Sequence, residues 1–324
     1  MWKASTQMYK AYALTNVRNA QSKILAGTWK SKGFIEFDLM DRGKLRHIRS
    51  VHISERVVQH TLCDQLLTPV LTPSLIYDNS GSIAGKGMDF ALNRCSKHLR
   101  EQVRKHGREL YVLTYDFSGY FDSVRHDLAL DLIKRYVLDP RLVAITKMFV
   151  DAFGDIGLGL GSQVSQNIAT SFPNSIDHLF KEKLGIRAYA RYMDDGYAIH
   201  HDKAHLEYCL ARLREECRKL GLKLNEKKTR IRKITQGFTF LKIRYTVTST
   251  GKVLRRVCRK SVTHSRRKMK KLVGLYHSSI ITLEDIRAAK DSIIGHLKRG
   301  ANYYARWQLQ SAYRKLLKEA LECS

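Results

Sequence analysis

Residues 186–201 read IRAYARYMDDGYAIHH. Two short β-rich pieces flank MDDG, the pattern of a hairpin whose turn is acidic. Residues 109–124 hold a second β-type run, LYVLTYDF, which ends at Asp116 and Phe117. A carboxylate that ends a buried strand is costly to keep ionised unless a cation or a donor answers it. With Asp116 on a neighbouring strand, Asp194 and Asp195 would complete an oxygen-rich, strongly anionic site. Mg²⁺ prefers such sites, taking one or two carboxylates together with substrate phosphates. An Asp-Asp pair alone is most often a solvated turn, so the combination carries the reading.

The rest of the chain supplies context. Its 324 residues are long enough for a sizeable core and more than one lobe. Lys and Arg number 58 against 30 Asp and Glu, a net charge of +28. An excess that large draws polyanions, and nucleic acid is the default partner. The cysteines show no C-x-x-C pair and no Cys/His ligand spacing, so free thiols in a reducing cytoplasm are expected. No secretory peptide and no membrane-length apolar run is evident.

Residues 43–53 alternate basic and apolar side chains as a strand pair would. Residues 54–71 predict a helix with Ser54 as its N-cap, and 77–107 a Gly/Ser loop leading into a helix. Residues 203–221 predict an amphipathic helix stopped by Gly221. Residues 81–87 (GSIAGKG) lack a spacer residue and the hydroxyl of a phosphate-binding loop. His200, His201 and His205 have no ligand set around them. Beyond residue 252 a run without acids opens mostly helical sequence. The expected division is an N-terminal segment (1–108), an α+β body (109–250) and a basic helical appendage (251–324).

In their order, these motifs resemble the reverse transcriptases over residues 40–250. YMDD (192–195) resembles the polymerase catalytic hairpin, and YDFSGYFDSV (115–124) the motif that donates the first catalytic aspartate. The resemblance implies an α+β, right-hand polymerase with fingers, a ferredoxin-like palm and a short helical thumb. It implies RNA-directed DNA synthesis from dNTPs by two Mg²⁺ ions, with Mn²⁺ able to substitute. Their ligands would be Asp116, Asp194, Asp195 and the Phe117 carbonyl. Phe121 would press against the sugar 2′ position, a role compatible with plain core packing. LGSQVSQ (160–166) occupies the nucleotide-wall position, which brings in Gly161, Gln163, Ser165 and Gln166. Lys228 in GLKLNEKKTRI (221–231) is either a lysine near the triphosphate, able to donate a proton to pyrophosphate, or an exposed charge. Lys44 and Arg46 would bind triphosphate oxygens. FTFLKIRY (238–245) resembles the primer-grip hairpin, with Lys242 where glycine is commoner.

Leu160 and Gln166 stand where the usual motif has Gln and Pro. That departure resembles the reverse transcriptases of diversity-generating retroelements, whose partners are a structured RNA and a small basic accessory protein, and whose copying is error-prone at template adenines. Gln166 would loosen the hold on the templating base, or merely cap a helix. An antiviral-defence reverse transcriptase of a bacterium or phage is the alternative. A non-catalytic, maturase-like RNA-binding protein fits less well because all three aspartates are present. Arg255, Arg256, Arg259, Lys260, Arg266 and Arg267 would hold the template RNA and primer duplex through its phosphates. NYYARWQLQSAYRK (302–315) interleaves aromatic and basic residues, and thumb core, RNA contact and partner face all remain open.

Overall fold

In the computed structural model, residues 4–41 and 44–322 are described, the side chains of 41, 44, 46 and 316–322 excepted. Helices α1 (Ala4–Ala11) and α2 (Ala13–Leu25) precede an antiparallel ribbon of β1 (Phe34–Asp41) and β2 (Lys44–Val51). The expected strand pair in 43–53 is thus one strand, and its partner comes from FIEFDLMD upstream. Helix α3 (Ile53–Leu62) follows, capped by the His52 ring, which accepts the Ser54 N–H. Ser54, the expected cap, lies inside the helix because the extended residue is His52. The helical path continues through 63–67 and 68–71 and stops near Pro73. The glycine-rich loop then enters α4 (Met88–His106).

The centre is a four-stranded antiparallel sheet of β3 (Tyr111–Asp116), β4 (Tyr189–Tyr192), β5 (Asp195–His200) and β6 (Arg230–Lys233), in the order β4-β5-β3-β6. Helices α5 (His126–Lys134), α6 (Pro140–Asp151) and α7 (Gln163–Ser171) lie between β3 and β4 in sequence. Helix α8 (Lys203–Lys219) starts at Asp202, whose carboxylate accepts two backbone N–H groups, and ends just before left-handed Gly221. Their apolar faces and one face of the sheet build a large core that includes Phe117, Phe149, Ile168, Phe180 and Leu206.

A second sheet, β7 (Phe238–Phe240), β8 (Ile243–Val247) and β9 (Val253–Val257), joins the other core with α4. Strand β9 lies beyond the expected boundary at residue 250: Val253 and Val257 fall on one face, and the strand pairs with β8 despite two arginines. Helices α9 (Arg259–His277), α10 (Leu283–Lys298) and α11 (Tyr303–Glu322) follow. Cys63, Cys209 and Cys217 are buried in the first core and Cys95 in the second, all as free thiols. Among the described residues no helix is long and apolar enough to cross a membrane.

Candidate active site

Strands β4 and β5 pair Tyr192 with Asp195, leaving Met193 and Asp194 as the turn. Strands β3 and β5 pair Asp116 with Asp195 directly. Cross-strand partners point to one face, so register alone brings Asp116 and Asp195 together. Beyond β3, the Phe117 N–H donates to the Asp194 carbonyl at 3.2 Å, which ties the turn to the end of that strand.

The turn is supported from behind. Arg191 is fully buried, and its Nε and Nη2 hold both Asp177 carboxylate oxygens at 2.8 and 2.7 Å. Its Nη1 donates to the Met193 carbonyl at 3.0 Å and Nη2 to the Thr170 carbonyl at 2.9 Å. Tyr189 donates to Asp177 at 2.7 Å and shares a 2.7 Å hydroxyl contact with Tyr115. Met193 occupies the left-handed region, φ +53°, which costs a non-glycine residue on the order of 1 kcal/mol or more. A β-carbon on Gly81 would lie 2.7 Å from Met193 Cγ, so only glycine lets the 79–87 loop close over the turn.

Asp116 is buried, and its Oδ2 accepts from Lys228 Nζ at 2.7 Å. Asn225 places that lysine: its N–H donates to the Asp116 carbonyl at 2.8 Å, and its own carbonyl accepts from the N–H groups of Lys228 and Thr229 at 2.9 Å. Burial opposes the Lys228 charge, but the Asp116 hydrogen bond and the neighbouring carboxylates outweigh it and raise its pKa. Asp195 is half-buried. Burial first, then the charges of Asp194 and Asp116, push its carboxyl up to about 7 against the pull of Lys228 and Lys242.

Among the described residues no three His, Cys, Asp or Glu side chains form a ready-made metal cage. Mg²⁺ rarely uses one, since substrate phosphates and water complete its shell. Carboxylates crowded enough to hold Asp195 near neutrality suit a divalent cation.

Gly157, Gly159 and Gly161 precede α7, where the nucleotide wall is expected. The Gly157 and Leu158 N–H groups donate to the carbonyls of Val124 and Phe121 at 2.8 and 2.6 Å. At Gly159 a β-carbon would enter the Phe153 ring, and Gly161 has φ +108°. Phe121 is half-buried, edge-on to Tyr120. Gln166 faces the 79–87 loop and accepts the Ser82 hydroxyl at 3.0 Å. Gln163 turns the other way, to Asp64 at 3.3 Å, and Ser165 is buried with no partner for its hydroxyl. The Lys44 and Arg46 side chains lie outside the described ones; their backbones are on β2.

The cations of residues 255–267 divide. Arg255 is half-buried on Asn93 at 2.8 Å, whereas Arg256, Arg259, Lys260, Arg266 and Arg267 are exposed. Sequence reasoning singled out neither Asn225 nor the Arg191–Asp177 pair as part of the site. It also noted Lys242 only as a departure. Leu241 and Lys242 have φ +48° and +62°, the two turn positions between β7 and β8. Glycine is favoured there for its conformation, and the lysine instead adds a charge felt at Asp195.

Residues 30–245 match the family described as reverse transcriptase (RNA-dependent DNA polymerase). The chain belongs to the reverse transcriptase family. Protein YkfC of Escherichia coli (strain K12) is 25% identical over 246 residues, covering 61% of this chain and 62% of that protein. Two apo telomerase structures from Candida tropicalis also match. One, truncated from the C-terminal domain, gives a TM-score of 0.54 at 13% identity over 75% of this chain and 60% of that one. The other gives 0.55 at 14% over 94% and 64%. Candida albicans telomerase in complex with a fragment of telomeric RNA gives 0.51 at 11% over 97% and 61%. This reverse transcriptase chain therefore spans somewhat under two thirds of the length of these relatives. At such identities the structural likeness is one of fold, and it bears out the α+β polymerase architecture expected from the motifs.

Proposed function

We propose that this chain is an RNA-directed DNA polymerase that makes cDNA from an RNA template, with Asp116, Asp194, Asp195 and the Phe117 carbonyl as ligands for two Mg²⁺ ions. The observation that carries the reading is the register match of Asp116 with Asp195, with Asp194 in the turn between β4 and β5. Bound there, the ions would activate a primer 3′-hydroxyl and neutralise the leaving pyrophosphate; Mn²⁺ can replace Mg²⁺. Lys228 holds a proton within reach of the same carboxylates and can donate it to pyrophosphate. Phe121, Gly161 and Gln166 line the nucleotide pocket, and Lys44 and Arg46 bind its triphosphate. The ribbon and α1–α4 serve as fingers, the central sheet as palm, and α9–α11 as a thumb whose cations hold the duplex. Primer extension on an RNA template tests this: wild type extends, and Asp194→Asn and Asp195→Asn do not. Equal inactivity of all three with Mg²⁺ and with Mn²⁺, on the cognate RNA, would refute it.

Within the family, the reading extends to the diversity-generating type: error-prone copying in the cytoplasm of a bacterium or phage host, with a structured RNA and a small basic accessory protein. Its support is Gln166, which is bonded to the 79–87 loop where a proline would stiffen the helix start. Leu160→Gln with Gln166→Pro is expected to lower misincorporation opposite template adenine. An unchanged error spectrum counts against it.

A further inference from the structure

Helix α11 buries Ala305 and Leu309 in the second core, packs Tyr313 against it, and turns Tyr303, Tyr304 and Trp307 outward. Tyr303, Tyr304 and Trp307 are 71%, 66% and 61% exposed. The Tyr304 and Trp307 rings stack 6.0 Å apart at 19°, and the Arg306 guanidinium sits 4.7 Å over Tyr303. Since the buried face already anchors the helix, folding gives no reason for three large rings in water. Their surroundings are cationic: no Asp or Glu occurs in 252–283 or in 292–318. The Ala301 N–H donates to the Arg255 carbonyl at 2.8 Å, and a β-carbon on Gly300 would lie 2.9 Å from Arg256 Cα. The segment that leads into α11 therefore packs directly on β9. There Arg256 pairs across strands with Arg244, both exposed, a like-charge pair that an anion would relieve.

We infer that the start of α11 is a stacking platform for unpaired RNA, which takes the bases on Tyr303, Tyr304 and Trp307 and the phosphates on Arg256, Arg306 and Arg314. Ring faces accept any base that is not already stacked in a duplex, and the cations fix the occupant as a polyanion. That it is RNA rather than DNA rests on the proposed polymerase reading, in which a long template must be held outside the copying cleft.

The test is binding of a labelled single-stranded oligo(A) RNA of about 12 nucleotides, with a photoreactive base for crosslink mapping. Tyr304→Ala/Trp307→Ala is expected to bind about tenfold more weakly, the loss of one stacked base, and Trp307→Phe to bind as wild type. Crosslinks should map to 303–307. RNA duplex binding and extension on a short template should not change in the double variant. Equal affinity of wild type and the double variant would overturn the platform, as would a matching loss for duplex. Self-association through these rings, abolished by Trp307→Ala, would overturn it in favour of a protein face. Binding needs no catalysis, so failed primer extension with intact RNA binding rejects the polymerase reading and leaves the platform standing.

Discussion

Replacing Asp195 with Asn should make the metal-free protein more stable and inactive at once. Asn keeps the shape of the side chain and removes a charge that burial, Asp194 and Asp116 all oppose. The carboxyl is moved from 3.8 to about 7, and each tenfold change in proton affinity is worth about 1.4 kcal/mol, which sets a ceiling of about 4 kcal/mol. Asp195 is half-buried, and solvent screening lowers the expected gain to about 2 kcal/mol. The sign follows from a folded pKa raised above the unfolded one. The folded carboxyl keeps its proton longer, so stability is full below about 4 and is lost as pH rises through about 7. Urea unfolding in a chelator, followed by circular dichroism, should show Asp195→Asn ahead of wild type at pH 8. The gap should narrow as pH falls from 8 to 5 and close below about 4. No gain at pH 8, or a gap that widens on acidification, would refute the picture of mutually repelling carboxylates.

Arg191→Met leaves Asp177 charged and fully buried, and should cost about 3–5 kcal/mol in denaturant unfolding; the double variant Arg191→Met/Asp177→Leu should recover much of it. A double variant as unstable as the sum of its parts would remove the pair from its supporting role. Lys242→Gly suits φ +62° and should gain about 0.5–1 kcal/mol. The same change removes a cation that lowers the Asp195 pKa, so the acid limb of the primer-extension pH profile should move to higher pH. Alanine at Arg259, Lys260, Arg266 and Arg267 together should flatten the slope of log K against log salt for duplex binding by about 3–4, and an unchanged slope would place the duplex elsewhere.

The central hairpin and β3 were legible because period-two patterning, an acidic turn and a strand-ending aspartate are all local signals. Arg191 was not: a basic residue beside an acidic turn reads as a surface charge. Its partner Asp177 lies fourteen positions away in a separate helical segment, a pairing that no local pattern describes. Asn225 acts mainly through its backbone, which leaves no mark in side-chain chemistry. Strand β9 hid behind two arginines, and β1 behind acidic residues that alternate with Phe, Ile and Leu on an exposed ribbon. Gly161 was placed in a nucleotide wall by motif, yet its need for glycine comes from φ +108°, as that of Gly159 comes from Phe153, both visible only in three dimensions.

The buried cysteines make the protein its own clock. Burial pushes the Cys63 and Cys217 thiols up to about 12 and Cys209 to about 11, with Cys95 higher still. At neutral pH none offers an appreciable thiolate until its surroundings part. An alkylating reagent would therefore mark each sulfur at the rate at which its own core opens. Three sulfurs time the core behind the carboxylates, and Cys95 times the one shared by α4 and the second sheet. Of the described cysteines, half-buried Cys258, at the junction of β9 and α9, would react first and start the count.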